Sequence, residues 1–233
     1  MNNLIFYILQ KYHGNWEQVY HAVCNKEAID FKLARKQALD YSPVMFWITK
    51  EDYPNKLKDI YMPPFAMFYI GNKLMINEKV LGFIGKPNKK EFDSLKEINA
   101  TYVLCLERQD ISRDFWNFCL QNQLRVIVLF NKGLYTQKLL HYKEALFISE
   151  HWSELWINSE GQNLERLIYA FSDIIMVDSR SEMKINNLAI NQENIIKPIY
   201  CPTRLKNSEI IYNNFNKNNL TFIKKYKQII GIN

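Results

Sequence analysis

The hydrophobic periodicity of the chain changes near residue 44. Before that point, apolar residues recur at helical spacing, as in the run from Leu4 to Leu9. Gly14 and Asn15 interrupt the first helical pattern, and Ser42-Pro43 ends the last. The pattern predicts three short helices that form a small helical unit.

Beyond residue 44, short apolar runs alternate with amphipathic segments. Several of the runs are almost unbroken, which is typical of strands covered on both faces. The predicted strands are 44–49, 66–70, 80–84, 101–106, 124–130, 146–148, 174–177 and 195–200. The predicted helices between them are 90–97, 112–122, 137–143 and 161–171, with a possible last helix at 220–230. This alternation predicts an α/β protein with a mostly parallel sheet.

Composition narrows the class of protein. The 233 residues are 48% hydrophobic, which is enough for a core, and no apolar run approaches the ~20 residues of a membrane-spanning helix. The net charge of +6 fits a polyanionic partner, and it fits equally well the Lys-rich codon usage of an AT-rich genome. The four cysteines are scattered, so we expect no zinc site and a reduced, cytoplasmic protein.

The turn after the strand at 80–84 is the first candidate site. Gly85 and Lys86 follow the strand directly, and Lys89 and Lys90 open the next helix. Glycine lets a backbone approach a ligand closely, and a helix start favours an anion. The pattern therefore predicts a phosphate site, with a plain turn that carries solvated lysines as the alternative.

Two further segments carry candidate ligand-binding residues. Lys132 and Gly133 follow the strand at 124–130, where a tight turn is the alternative reading. Arg166 lies near the start of a predicted helix, where its guanidinium can bind a phosphate, or it can pair with a nearby Glu165 or Asp173. Asp178 ends the following strand, where sites of α/β sheets gather.

The remaining candidate chemistry is sparse. Trp152 and Trp156 lie in a polar stretch and are candidate platforms for stacking bases, whereas the other aromatic residues fit a core. The sequence has no G-x-S-x-G, P-loop or H-E-x-x-H motif, and its histidines are scattered. We therefore predict no catalytic residue, no metal and no cofactor.

Residues 51–72 carry a resemblance to a known family. They read EDYPNKLKDIYMPPFAMFYIGN. This is similar to the pattern D-x-x-Y-P-x-x-L-x-x-I-x-x-P-P-x-x-L-x-x-x-G-N that opens the Rossmann domain of the DprA/Smf family. Tyr-Pro and Pro-Pro fix an extended entry into the domain, and Gly-Asn turns the chain out of a strand.

The resemblance continues along the chain with lower identity. Gly85 stands in the family's V-G-S-R, residues 133–135 resemble G-L-x-x-Y-P, and residues 148–150 match L-S-E. Residues 166–173 match R-N-R-I-I-A-G-L-S-D from its second Arg onward, and Asp178 replaces the Glu of V-V-E-A. The family's V-G-S-R arginine is Pro87 here, and most of its S-G-x-A-x-G loop is lost.

The resemblance implies a three-layer, Rossmann-like domain. It would span residues 44–205, with a helical domain at 1–43 before it and a tail or helix at 206–233 after it. The family binds single-stranded DNA in DNA processing, uptake and recombination, assists a RecA-type recombinase, and often forms homodimers. Here the DNA-binding residues would be Gly85, Lys86, Lys89, Lys90, Lys132, Gly133 and Arg166.

Two other functions stay open at the level of sequence. One is a degenerate scaffold for protein partners, and the other is an enzyme similar to nucleotide phosphoribohydrolases. A continuous positive surface that joins Lys86, Lys132 and Arg166 would favour DNA binding. A closed pocket with a carboxylate beside Arg166 would favour the enzyme, and a neutral, apolar crevice would favour the scaffold.

Overall fold

The computed structural model describes residues 2–41, 44–85, 87–105, 113–134, 142–153, 164–192 and 196–229. Its helices are α1 (Asn2–Lys11), α2 (Trp16–Cys24), α3 (Phe31–Tyr41), α4 (Phe92–Leu95), α5 (Arg113–Gln121), α6 (Leu164–Phe171), α7 (Glu182–Gln192) and α8 (Glu209–Asn214). Its strands are β1 (Met45–Trp47), β2 (Ala66–Gly71), β3 (Val80–Gly85), β4 (Thr101–Cys105), β5 (Val126–Phe130), β6 (Ala145–Ser149), β7 (Ile174–Asp178), β8 (Ile199–Pro202) and β9 (Leu220–Ile223).

The nine strands of the described ranges form one sheet. Their order is β1-β2-β6-β5-β4-β3-β7-β8-β9. Strands β3 to β9 run parallel, and β1 and β2 add an antiparallel pair at one edge. After β6 the chain crosses to the other side of β3, so the strand order reverses between β3 and β7. This doubly wound topology confirms the predicted Rossmann-like, mostly parallel α/β fold.

Helices cover both faces of the sheet. Every residue of β3 to β7 is buried, as expected for strands between two layers. On one face, Gly82 of β3 lies against Ile168 of α6. On the other, Phe83 contacts Phe115 of α5, with ring centroids 5.4 Å apart. The three-layer arrangement is therefore the predicted one.

The N-terminal helices pack onto the antiparallel edge of the sheet. The ring of Phe6 in α1 lies 6.1 Å from that of Phe68 in β2 and 6.0 Å from that of Trp152. Phe6 and Phe68 are fully buried, and both belong to the core cluster of the sheet. Trp152 is partly buried against this core, so packing accounts for its ring better than stacking on a base does. Trp156 lies outside the described residues.

The Tyr-Pro and Pro-Pro segments join these parts through two hydrogen bonds. The buried Tyr53 hydroxyl donates to the carbonyl oxygen of Pro64 at 2.6 Å. The Trp16 indole of α2 donates to the carbonyl oxygen of Pro63 at 2.8 Å. Prolines lack an N–H and interrupt regular secondary structure. The carbonyl oxygens of this segment therefore accept hydrogen bonds from side chains. The motif thereby positions the entry to β2.

Several sequence predictions differ from the structure. Residues 220–223 form strand β9 rather than the start of a helix, and β9 pairs with β8. Helices α7 and α8 were not predicted, because asparagines and isoleucines give them low helix propensity and a weak apolar stripe. The predicted helix at 137–143 lies almost entirely outside the described residues. The division into domains at residues 43 and 205 stays a prediction.

A buried lysine closes the C-terminal end of α6. The Nζ atom of Lys197 donates to the carbonyl oxygens of Tyr169 (2.5 Å), Ala170 (3.2 Å) and Ser172 (2.7 Å). These carbonyls lack partners within the helix, and a cation at a helix C-terminus is favourable. Burial lowers the pKa of Lys197 to about 8, which still leaves the side chain mostly protonated at neutral pH. Lys197 thus acts as a side-chain cap.

Replacing Lys197 tests this cap. Lys197→Met keeps the apolar stem but leaves the three carbonyls without their shared donor, so we expect the free energy of unfolding to fall by about 2–3 kcal/mol. Urea denaturation followed by circular dichroism measures the change. Lys206→Met alters an exposed lysine and is expected to change stability by less than about 0.5 kcal/mol. Equal stabilities of the two variants would contradict a capping role.

Candidate nucleic-acid interface

The carboxyl ends of the parallel strands meet at one edge of the sheet, which we call the carboxyl edge. Gly85 ends β3 and lies in register with Asp178, which ends β7. Since the strand order reverses between these two strands, a crevice opens there. In open α/β sheets this is the place where ligands bind, so the carboxyl edge is the candidate site.

The turn after β3 is tightly held against β7. Gly85 has φ = +99°, and a Cβ atom there would clash with the carbonyl group of Asp178. Only glycine fits both conditions without strain. Pro87 is buried, and the backbone N–H of Asn88 donates to the Tyr226 hydroxyl at 2.7 Å. The predicted site residue Lys86 lies outside the described residues.

Lys89 and Lys90 stand at the carboxyl edge with exposed side chains. Lys89 lies 3.4 Å from Asp114 at the start of α5, with 76% of the lysine side chain and 51% of the aspartate side chain exposed. An ion pair this exposed is weak and opens readily to another anion. Both lysines are therefore accessible to a polyanion.

Lys132 is also exposed, and its turn is fixed by the L-S-E segment. The Ser149 hydroxyl donates to the carbonyl oxygen of Lys132 at 2.7 Å and accepts the His151 N–H at 3.0 Å. Gly133 lies so close to the backbone of Ser153 that a Cβ atom would clash. Packing thus accounts for Gly133, and it holds Lys132 at the carboxyl edge two strands away from β3.

Arg166 is placed differently from the sequence prediction. Its Nη2 atom lies 2.6 Å from Oε1 of Glu150, and the two side chains are only 7% and 11% exposed. The alternative partner Asp173 instead pairs with Lys56 at 2.8 Å and accepts the Val80 N–H at 2.9 Å. A phosphate contact by Arg166 would require the buried pair to break. Arg166 therefore does not extend the exposed basic surface.

Tyr53 belongs to the same buried region. Burial raises the pKa of its phenol, and the negative charge of Glu150 raises it further, while Arg166 lowers it. The phenol is therefore neutral and serves as a hydrogen-bond donor. This ion-pair region joins the end of β6 to the start of α6 and to the Tyr-Pro segment.

The structure adds basic residues that the sequence reading did not select. They are Arg180 after β7, Arg204 after β8, and Lys224 and Lys225 after β9. All four are exposed and follow the carboxyl end of a parallel strand. For Lys224 and Lys225 the missed signal is β9, because the sequence predicts a tail or helix beyond residue 205. Helices α5, α6 and α7 also begin at this edge, where their positive dipole ends favour anions.

Neither a metal site nor a membrane-spanning helix is found among the described residues. Within the described ranges, no three His, Cys, Asp or Glu side chains lie together so that they could hold a metal ion. No helix in these ranges has the length and apolarity needed to cross a membrane. What the carboxyl edge offers is cationic side chains beside helix starts.

The fold and this edge define a Rossmann-like α/β protein with an antiparallel extension. The chain shares its fold with DNA processing protein A (DprA) from Streptococcus pneumoniae, at 16% identity and a TM-score of 0.57 over 97% of this chain and 90% of that chain. It is also similar to DprA from Helicobacter pylori, at 17% identity and a TM-score of 0.54 over 76% of this chain and 91% of that chain. That second structure is described as showing a unique single-stranded DNA binding mode.

The comparisons confirm the DprA-like resemblance at the level of the fold. No family model matches the sequence. No curated protein matches it either. The Tyr-Pro and Pro-Pro pattern therefore predicts the correct fold, although neither the family models nor the curated proteins match the sequence.

The internal role of Arg166 can be tested by stability. Arg166→Ala leaves the Glu150 carboxylate buried without this partner, so we expect the free energy of unfolding to fall by about 3–5 kcal/mol in urea denaturation. The double variant Glu150→Gln/Arg166→Met removes both charges and is expected to recover most of the loss.

The folded double variant also separates the two roles of Arg166. If the pair is structural, the double variant binds oligo-dT like the unaltered chain. A marked loss of affinity by a folded double variant would instead assign Arg166 to the ligand.

Proposed function

We propose that this chain is a non-catalytic single-stranded DNA-binding protein of the DprA/Smf kind, which acts in DNA processing and recombination. The observation that carries the proposal is the set of exposed basic side chains around the crevice between β3 and β7. A DprA-like fold supports it, because the crevice is where such sheets bind ligands.

The proposed contacts are mainly electrostatic. Lys89, Lys90 and Lys132, all on the β3 side of the crevice, would track the phosphates of a single strand, with Arg180 and Lys224 extending the path on the β7 side. Glycines at 85 and 133 keep the turns close to the sheet so that the lysines are presented. The proposed interface consists of Gly85, Lys86, Lys89, Lys90, Lys132 and Gly133, with Arg166 supporting it from inside.

The proposed partners follow from the DprA/Smf resemblance. They are single-stranded DNA, a RecA-type recombinase and a second copy of the chain, in a cytoplasmic setting and without a cofactor. DNA uptake in transformation is the process that fits this set. The recombinase and the homodimer rest on the resemblance alone.

The alternatives receive less support from the geometry. A carboxylate does lie beside Arg166, as the phosphoribohydrolase reading requires, but Glu150 and Arg166 neutralise each other in a buried pair. A scaffold with an apolar crevice does not fit the exposed lysines at the carboxyl edge. DNA binding is therefore preferred, followed by the scaffold and then the enzyme.

Fluorescence anisotropy with labelled oligo-dT and a matching duplex tests the proposal. We expect tighter binding to the single strand and a steep loss of affinity with salt, since phosphate neutralisation releases counterions. Lys86→Ala, Lys132→Ala and Lys89→Ala/Lys90→Ala are each expected to weaken binding, and the salt slope is expected to fall by about 0.7 per lost contact.

Lys79 provides a matched control, because it is exposed at the opposite end of β3. Lys79→Ala removes the same charge as Lys132→Ala and is expected to leave affinity nearly unchanged. No binding of oligo-dT at low salt would overturn the proposal. An equal effect of Lys79→Ala would show that net charge, not the carboxyl edge, attracts the DNA.

A further inference from the structure

Two of the described positions in the turn after β3 have no backbone N–H to offer a ligand. Anion sites at such turns usually rely on backbone N–H groups that converge on the phosphate. Pro87 has no N–H, and the N–H of Asn88 already donates to the Tyr226 hydroxyl at 2.7 Å. A phosphate at the end of β3 would therefore benefit from side-chain donors.

Arg204 brings a guanidinium to this position from β8. Its Nη2 atom donates to Oδ1 of Asp178, the residue in register with Gly85. Asp178 ends β7, the strand that pairs with β3, so Arg204 reaches the strand next to the turn after β3. Half of the Arg204 side chain (52%) is exposed, whereas the Asp178 side chain is 4% exposed.

Asp178 orients this guanidinium. Burial raises the pKa of the Asp178 carboxyl, while the charge and hydrogen bond of Arg204 lower it. Because a guanidinium is planar and carries five donors in a fixed fork, a carboxylate that holds one edge directs the others. Because about half of the Arg204 side chain is exposed, we expect its remaining donors to be open to a ligand.

Tyr226 completes the arrangement from the C-terminal segment. Its hydroxyl accepts the Asn88 N–H and donates to Oδ2 of Asp178 at 3.5 Å. Its ring packs on Phe83 of β3, with centroids 5.8 Å apart. One hydroxyl thereby joins the turn after β3 to the carboxylate that holds Arg204.

We propose that Arg204 is a phosphate-binding residue of the crevice and that Asp178 and Tyr226 are its positioning residues. The ligand group is a phosphodiester of the single strand, so this inference rests on the proposed function. In the Glu150–Arg166 pair both side chains are buried, so neither partner is open to a ligand. In the Asp178–Arg204 pair the carboxylate is buried, whereas the arginine side chain is about half exposed beside the strand-order reversal.

The double variant Asp178→Asn/Arg204→Met tests the proposal with net charge held constant. It removes one negative and one positive charge, so the chain stays at +6 and its long-range attraction to DNA is unchanged. We expect the dissociation constant for labelled oligo-dT to rise about tenfold. The slope of affinity against salt is expected to fall by about 0.7, as for one lost phosphate contact.

The Lys56–Asp173 pair supplies the control. It lies just before β7, at the opposite edge of the sheet, and Lys56→Met/Asp173→Asn also leaves the net charge unchanged. This control is expected to bind oligo-dT with unaltered affinity and salt slope. Circular dichroism melts verify that both double variants fold.

Arg204→Lys gives an independent readout should the first double variant not fold. It keeps the charge and the pairing with Asp178 but lacks the fork, so we expect a several-fold loss of affinity with an unchanged salt slope. If the unaltered chain binds oligo-dT and the Arg204 variants match the control, the inference is overturned while the proposed function stands. If the unaltered chain does not bind, both are overturned.

Discussion

The close approach of β3 to its neighbours is the constraint on which the rest of the structure depends. At Gly82 the strand lies directly against Ser172 and α6, and at Gly85 it lies against the backbone of Asp178 in β7. A side chain at either position would push apart the layers that meet there. Because β3 is also the strand where the order reverses, this packing fixes the position of the crevice.

Charged groups serve opposite purposes at the two edges of the sheet. At the opposite edge, where the parallel strands begin, Lys56 pairs with Asp173, and Lys197 caps α6 from a buried position. These groups satisfy backbone and side-chain partners within the protein. At the carboxyl edge, Lys90 and Lys132 are exposed to solvent. The same residue type therefore holds the fold at one edge and presents positive charge at the other.

The sequence predicts the strands well because buried parallel strands are nearly unbroken apolar runs, as in β4, β5 and β7. It fails for α7, whose asparagine-rich sequence has no clear apolar stripe, and for β9, a four-residue, mostly apolar run within a tail rich in Asn and Lys. Exposed lysines after strands could be found by position alone. The burial of Arg166 could not, because its partner Glu150 is sixteen residues away and their pairing depends on how α6 packs.

The crevice is assembled from four distant parts of the chain. The turn after β3, Asp178, Arg204 and Tyr226 come together only because β7, β8 and β9 are added in order beside β3. The sequence around Gly85 therefore identifies only the turn after β3, and the remaining residues of the crevice come from β7 and the segments after β8 and β9. Since Pro87 has no N–H and the N–H of Asn88 donates to Tyr226, the proposed interface draws on side chains of neighbouring strands as well as on the local turn. A divergent chain can in this way keep the position of a binding site while changing the groups that form it.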